Sequence, residues 1–256
     1  MEALNGVDQI IVIDSFSLDS TPQIVKSHGV DLVSFTWNGK CPKKKQWALE
    51  LTEIRNDWVL FLDADEIISK DLLGEIKAFL EMKDLDKYGA GIISLDYVFL
   101  GRQLKHGHKV KKISVLNRKF SYFPEVDDLD VKNMWEVEGH YQPIVTKEVY
   151  KFKERITHLD PDLLFDYFSR HNRYSDWEAY LLVNPSAKKT VANMRSKQGQ
   201  LFDRISFKPL VFFVYSFFVR SGWRDGKAGF NYAVALSFYY WQIHIKYLEH
   251  KVNTTL

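Results

Sequence analysis

Three carboxylates follow directly on a short apolar stretch in the segment LFLDADEII, which covers residues 60–68. They are Asp63, Asp65 and Glu66. Carboxylates repel one another and resist burial unless a positive group joins them, so this cluster indicates either a solvated strand end or a site for a cation. Oxygen ligands of this kind suit Mg²⁺ or Mn²⁺, which keep open positions for phosphate oxygens. Group transfer from a nucleotide is therefore one chemistry that the cluster could support.

A second acidic point is Asp14, which ends an earlier apolar segment, QIIVID. Strand and helix patterns alternate through this part of the chain, which predicts a parallel sheet covered by helices. Ligands of such sheets bind beyond the carboxyl ends of the strands, so Asp14 and the Asp63–Asp65 pair are expected on one rim. Strands are predicted at 9–13, 30–37 and 57–66. Helices are predicted from near Thr21, over a segment that carries Trp47, Ala48, Leu51 and Ile54 at helical spacing, and from the capping Ser69 onwards.

The middle of the chain, about residues 89–158, shows strands and turns without clear helices, and predicts an antiparallel or mixed extension of the sheet. Residues 161–183 then predict one long helix or two. The predicted fold class is α/β, with a mixed sheet flanked by helices. We assign residues 1–185 to this domain and residues 186–256 to a helical C-terminal region.

The C-terminal region contains two apolar, aromatic stretches on either side of the segment SGWRDGKAG. Neither stretch has about 18 uninterrupted apolar residues, so no transmembrane span is predicted. Aromatic side chains mixed with Lys and Arg favour amphipathic helices that lie in a membrane interface, although a buried helical hairpin on the sheet is the open alternative. Basic residues flank the first stretch: Lys188, Lys189, Arg195, Arg204, Lys208 and Arg220.

The composition of the chain limits its expected partners and its expected place in the cell. The chain has 256 residues, 46% of them hydrophobic, and a net charge of only +2, so no nucleic-acid partner is expected. Cys41 is the single cysteine, which excludes an internal disulfide and favours a reducing compartment. The first residues show no secretory signal pattern. We expect a cytoplasmic protein that is peripheral on the inner face of the cell membrane.

Two ordered blocks carry a family resemblance. VIDSFSLDST holds Asp14, Ser15, Ser17, Asp19 and Thr21, and the DAD segment follows a predicted strand. Together they resemble the inverting family 2 glycosyltransferases of the GT-A (Rossmann-like) fold. The sequence is most similar to bacterial members that build lipopolysaccharide cores and capsular glycans. In those members a membrane-associated tail carries a G-(F/W)-x-D-G turn, which residues 222–226 match as GWRDG.

The resemblance implies transfer of a sugar, with inversion, from a nucleotide-sugar donor to a growing glycan or lipid-linked glycan. The family favours uridine diphosphate as the carrier and Mn²⁺ or Mg²⁺ as the cofactor. By the same resemblance, Asp14 contacts the nucleoside and Asp63 lies near the ribose or base. Asp65 binds the metal, and Lys45 offsets the charge of the diphosphate. We place the neighbouring Lys43 in a solvated loop.

Inversion at a sugar carbon requires a base that deprotonates the acceptor hydroxyl. The segment WEVEGH offers Glu138 as this base, with Glu136 as a neighbouring option, and His140 to orient the acceptor. His158, in ITHLDP, could complete the shell of the metal or of the phosphate. A lone histidine is more often structural, so this assignment stays open.

A basic and aromatic group in RHNRYSDWEA is expected on one or two turns of helix. It could hold the diphosphate or the acceptor, and we assign His171 and Arg173 to donor binding. Tyr174 belongs to the same group, whereas a solvated basic face explains Arg170 about as well.

The sequence departs from the family at its beginning, because the strand that ends at Asp14 starts only a few residues after Met1. The family normally has a central strand before this block, so we expect one strand to be missing. Two alternatives to an active glycosyltransferase remain. One is a catalytically inactive protein that binds or assembles glycans, and the other is a nucleotidyltransferase.

Overall fold

We describe a computed structural model of the chain, which covers residues 2–138, 141–161, 163–194, 200, 202, 205 and 207–255. The first elements form a small parallel unit. Strand β1 (Ile11–Asp14) pairs in parallel with β2 (Asp31–Ser34), and helix α1 (Thr21–Ser27) connects them, with proline in its first turn. The predicted strand, helix and strand at the start of the chain are confirmed.

The main sheet is mixed. Its strands are β3 (Trp58–Leu60), β4 (Glu66–Ile67), β5 (Tyr88–Phe99), β6 (Arg102–Gln103), β7 (Lys111–Asn117) and β10 (Glu148–His158). They lie in the order β3-β7-β5-β10-β4, with β6 on β5, and only β5 and β10 pair in parallel. Strand β3 runs antiparallel to β7, so the parallel sheet expected for the first part of the chain is limited to β1 and β2. A separate short pair joins β8 (Ser121–Tyr122) and β9 (Ile144–Val145).

Two helices in the first half show where local patterns succeed and fail. Helix α3 (Lys70–Leu80) begins after Ser69, whose hydroxyl oxygen accepts the Leu72 N–H at 3.0 Å, as predicted. The predicted helix included Leu51 and Ile54, but α2 (Lys44–Leu49) ends before both. The Arg118 guanidinium donates to the carbonyls of Leu49, Leu51 and Ile54, so a distant side chain satisfies the backbone where the helix ends.

The C-terminal half is helical. It contains α4 (Leu164–Val183), α5 (Pro185–Met194) and α6 (Lys208–Val214), which continues into a π-helical turn over Tyr215–Val219. A 3₁₀ turn (Gly222–Asp225) leads into the last helix, α7 (Gly226–Thr255). Within the described part of the chain, no helix combines the length and apolar character needed to cross a bilayer. The division between residues 185 and 186 stays a prediction.

Helix α7 is joined to the sheet by one of the hydrophobic clusters. Tyr232 and Ala235 of α7 pack with Phe99, Leu104 and Tyr167. The Lys246 ammonium of the same helix binds Asp176 of α4 at 2.6 Å. The C-terminal helices are therefore packed against the sheet domain on one face.

Candidate active site

The acidic cluster is neutralised in part by a lysine that lies far away in the sequence. Lys112, on β7, places its ammonium 2.6 Å from Asp63 and 2.9 Å from both carboxylate oxygens of Glu66. Glu66 is buried, whereas 47% of the Asp63 side chain is exposed. Lys45 approaches Asp63 from α2, at 3.9 Å. The sequence reasoning missed Lys112 because no local pattern connects it with Asp63.

These contacts shift the ionisation of the three groups. Burial acts to raise the pKa of Asp63, but the ammonium groups of Lys45 and Lys112 outweigh it and lower that pKa. Burial also acts to lower the pKa of Lys112, which Asp63 and Glu66 nevertheless raise. For Lys45 burial dominates, and its pKa is lowered. The Asp63 side of the cluster therefore already has positive partners.

Asp65 faces a different partner. Its carboxylate lies 3.6 Å from Nε2 of His158, the last residue of β10. The backbone carbonyl of Asp65 accepts the Leu159 N–H at 2.9 Å, which joins the DAD turn to the end of β10. The Nδ1 atom of His158 is buried and has no hydrogen-bond partner among the described residues. The Tyr97 ring covers the imidazole, with ring centroids 5.0 Å apart.

The donor set of Asp65 and His158 fits part of the implied metal site. A carboxylate oxygen and an imidazole nitrogen both suit Mn²⁺, and Mg²⁺ accepts the carboxylate. Among the described residues no group of three His, Cys, Asp or Glu side chains could hold a metal alone. Such an ion would therefore need further oxygen ligands from a diphosphate or from water.

The Asp14 carboxylate is bound by a residue of its own block. The Asp14 carboxylate accepts the backbone N–H of Ser17 at 2.9 Å and also its hydroxyl, and these bonds lower the pKa of Asp14. Ser15 donates to Glu136, and the Lys44 ammonium contacts the Ser15 hydroxyl at 2.8 Å and Glu136 at 3.1 Å. Lys44 therefore joins this block to the segment around Glu136.

Glu138, the predicted base, is buried at the start of α2. Its two carboxylate oxygens accept the backbone N–H groups of Lys45 and Gln46, both at 2.7 Å. This geometry anchors the first turn of α2. The base role stays a prediction, and the predicted acceptor residue, His140, lies outside the described residues.

The assignment of Lys43 to a solvated loop was wrong. Lys43 precedes α2, its side chain is only 3% exposed, and its ammonium lies 2.9 Å from Asp128, which is fully buried. The indole N–H of Trp177 donates to the same carboxylate at 2.8 Å. Lys43 thus ties the start of α2 to α4, because a buried ammonium requires a partner.

The basic and aromatic group on α4 packs mainly against other rings. His171 Nδ1 lies 2.8 Å from the Tyr167 carbonyl, and burial lowers the pKa of His171. Tyr174 packs on Trp135, with ring centroids 5.1 Å apart, while Arg173 is exposed. The predicted donor-binding roles of His171 and Arg173 remain predictions.

Two consecutive lysines of α2 bring the predicted blocks together: Lys44 contacts Ser15 beside Asp14, and Lys45 approaches Asp63. The sequence model of glycosyl transferase family 2 matches residues 3–134 of this chain, which include both blocks. The chain belongs to glycosyl transferase family 2.

Bacterial relatives agree with this membership. The family 2 chain is 27% identical over 244 residues to an uncharacterized glycosyltransferase of Rickettsia typhi, covering 91% of this chain and 75% of that protein. An uncharacterized glycosyltransferase of Rickettsia conorii is 28% identical over 244 residues, covering 91% and 78%. One of Mycoplasma pneumoniae is 26% identical over 103 residues, covering 38% and 32%. Membership in the family implies a nucleotide-sugar donor and a glycan acceptor.

Proposed function

We propose that this family 2 glycosyltransferase transfers a sugar, with inversion, from a uridine diphosphate sugar to a growing cell-surface glycan. The acceptor is a lipopolysaccharide or capsular glycan, or its lipid-linked precursor. The observation that carries the proposal is the bridge made by α2. Lys44 contacts Ser15 in the Asp14 block and Lys45 approaches Asp63, so the two residues assigned to the nucleoside lie within reach of one helical turn.

In this proposal Asp14 and Asp63 bind the nucleoside, and Lys45 faces the diphosphate. Asp65 and His158 would hold Mn²⁺ or Mg²⁺, which supplies charge neutralisation for the diphosphate leaving group. His158 Nε2 lies 3.6 Å from the Asp65 carboxylate, so one ion could bind both side chains.

Two carboxylates are proposed as alternatives for the base that deprotonates the acceptor hydroxyl. Glu138 accepts two backbone N–H groups, so both of its carboxylate oxygens are already engaged at the start of α2. The side chain of Glu136 is 29% exposed, and it accepts hydrogen bonds from Ser15 and Lys44. Both remain candidates, and the kinetics of their Gln variants separate a base from an anchor.

The activity is tested by the release of uridine diphosphate from a panel of uridine diphosphate sugars, with bacterial membranes as the source of acceptor. Metal-dependent turnover that is lost in Asp65→Ala supports the proposal. Asp57→Ala is a matched control, because Asp57 is an exposed carboxylate paired with Lys119 away from this site. If the folded protein binds the nucleotide without any turnover, it is an inactive glycan-binding or assembly protein.

We also propose that the C-terminal helices attach the enzyme to a membrane surface. Helix α7 exposes a large apolar side chain at every third or fourth position, so these residues form one face of the helix. We call this face the apolar stripe; it consists of Phe230, Val234, Phe238, Trp241, Ile245, Leu248 and Val252. Helix α6 and its π-helical turn add further exposed apolar residues, notably Leu210, Phe218 and Val219.

A lipid surface is the occupant that these helices favour. The exposed face is apolar and aromatic, and Phe168 of α4 packs against Phe238 with ring centroids 6.3 Å apart. Lys208 is the first residue of α6. Aromatic side chains with nearby basic residues are typical of helices that lie in an anionic membrane interface. The predicted basic residues Arg195 and Arg204 lie outside the described residues.

Sedimentation with vesicles that contain phosphatidylglycerol tests the membrane proposal. The double variant Phe238→Ser with Trp241→Ser should lose most of its binding, whereas Leu80→Ser, a similarly exposed apolar site at the end of α3, should bind like the wild type. Equal binding by the double variant contradicts the proposal. A stable dimer in lipid-free solution that the double variant abolishes would instead assign the stripe to a second copy.

The predicted missing strand is likewise a proposal. Within the described residues, β1 pairs only with β2 and β3 pairs only with β7, so each has a free edge. The Gln9 side chain, just before β1, bridges to the backbone of Glu53 and Arg55, just before β3. We propose that one further strand fits between β1 and β3. A chain extended at its N-terminus should then bind the nucleotide more tightly, and equal affinity contradicts this.

A further inference from the structure

The GWRDG segment docks onto a loop of the main sheet. We call residues 104–109, between β6 and β7, the HGH loop, and Gly222–Asp225 the tail turn. Three consecutive loop residues donate hydrogen bonds to the tail turn and to the residues just before it. The His106 N–H donates to Asp225 at 2.7 Å, the Gly107 N–H to the Arg220 carbonyl at 2.8 Å, and the His108 N–H to the Ser216 hydroxyl at 3.2 Å.

Glycines allow the two backbones to approach each other. Gly107 has a φ of +82°, and a side chain there would meet Ser216 and Gly222 within 4 Å. A Cβ atom on Gly222 would lie 2.8 Å from the Ser216 carbonyl oxygen, which is closer than real Cβ contacts. A Cβ atom on Gly229 would lie 2.1 Å from the Gly222 carbonyl oxygen. The contact between loop and tail therefore depends on main-chain proximity that larger residues would prevent.

Asp225 is the charged centre of this contact. It is 3% exposed, and its second carboxylate oxygen lies 3.0 Å from Nδ1 of His106. Burial acts to raise the pKa of Asp225, but hydrogen bonds from the His106 ring and from the His106 and Lys105 backbone amides outweigh it and lower that pKa. The carboxylate is thus ionised and held by the loop.

The end of the HGH loop and the start of β7 lead to the candidate active site. Lys109 binds Asp96 of β5 at 2.8 Å, and the Val110 carbonyl accepts the Leu95 N–H at 2.9 Å. Two residues later, Lys112 binds Asp63 and Glu66. The chain from His106 to Lys112 therefore connects the tail turn to the DAD segment through fixed contacts.

We propose that Asp225 is a positioning residue for sugar transfer. Its carboxylate, together with the His106 ring, fixes the HGH loop so that Lys112 is held against Asp63. The tail is then part of the donor site as well as a surface for lipid. The expected effect on sugar transfer rests on the proposed function. The expected effect on the HGH loop can be measured without sugar transfer.

Hydrogen exchange of the full-length chain gives the first test. In Asp225→Asn, exchange across residues 104–112 should become about 10- to 100-fold faster, because the loop loses hydrogen bonds to a buried charge. Lys246→Met is the matched control, since it removes a contact between α7 and α4 that does not involve the loop. Exchange that is unchanged in Asp225→Asn, or equally increased in both variants, overturns the inference.

Kinetics with a uridine diphosphate sugar give the second test. Asp225→Asn should lower kcat/KM about tenfold at temperatures where the protein stays folded, and adding Lys112→Gln should cause little further loss, since both act through one contact. His106→Asn should stay within about threefold of the wild type, because its amide N–H can replace Nδ1, whereas His106→Leu should match Asp225→Asn. If the losses of kcat/KM from Asp225→Asn and Lys112→Gln multiply in the double variant, the inference is overturned. An inactive His106→Asn would overturn it as well.

The two failures are distinguishable. If the wild type transfers no sugar, the proposed function fails, and hydrogen exchange alone decides whether Asp225 fixes the loop. If the wild type is active and Asp225→Asn shows a lower melting temperature with unchanged kcat/KM, the proposed function stands and the positioning role of Asp225 is wrong.

Discussion

The buried pair of Lys43 and Asp128 should be the most sensitive point of the scaffold that holds α2. The side chains are 3% and 0% exposed, so Asp128→Asn leaves an ammonium group without a counter-charge in the protein interior. Breaking such a pair costs about 3–5 kcal/mol, which is a large share of the roughly 5–15 kcal/mol by which most domains are stable. The Trp177 N–H keeps an acceptor in the Asn amide oxygen, so the loss is mainly electrostatic.

Urea denaturation followed by tryptophan fluorescence measures this loss of unfolding free energy. Lys43→Met should cost a similar amount, and the double variant should cost clearly less than the sum, because it removes both charges. The exposed pair of Asp57 and Lys119 is the control, with an expected loss of at most about 1 kcal/mol on removing one partner. If Asp128→Asn costs no more than this control, our account of how α2 is fixed is refuted.

Three further outcomes follow from the same contacts. Glu138→Gln should weaken donor binding and slow transfer equally, since one amide cannot accept both N–H groups at the start of α2; a larger loss of transfer would support the base role instead. Burial, with Arg220 nearby, lowers the pKa of His108 from 6.5 to about 4, so the unfolded chain binds this proton first as the pH falls. The resulting stability is complete above about pH 6.5 and lost as the pH falls through 4, so the wild type should lose about 3 kcal/mol more than His108→Phe between pH 7 and 4, and equal losses would contradict this. Deletion from Lys208 onwards should speed hydrogen exchange in the HGH loop as well as release the protein from membranes, and a deletion variant with normal exchange would contradict the contact with Asp225.

Local patterns were sufficient for elements whose cause is local. The period of α3 and its Ser69 cap lie within one short segment, and the strand that ends at Asp14 is marked by its own apolar run. The length of α2 was mispredicted because its end is set by Arg118, which lies 69 residues from Leu49. The helical period of a sequence carries no information about a distant guanidinium that binds the carbonyls at the end of the helix.

The same limit applies to the candidate site. The family blocks predict roles for Asp14, Asp63 and Asp65, because each block is continuous in sequence. Lys112 binds Asp63 across 49 residues, and Asp225 binds His106 across 119. Lys43 belongs to a run of three lysines that looks solvated, and only the fold shows that Asp128 faces it. Pairs of opposite charge at such separations leave no signal in a single sequence.

Calorimetric binding of uridine diphosphate, with and without Mn²⁺, tests the central claim most directly. The account predicts binding that requires Mn²⁺ and disappears in Asp65→Ala, while Asp57→Ala binds like the wild type. Binding that is equally tight without Mn²⁺ and in Asp65→Ala would contradict the assignment of the DAD segment to a metal and a diphosphate.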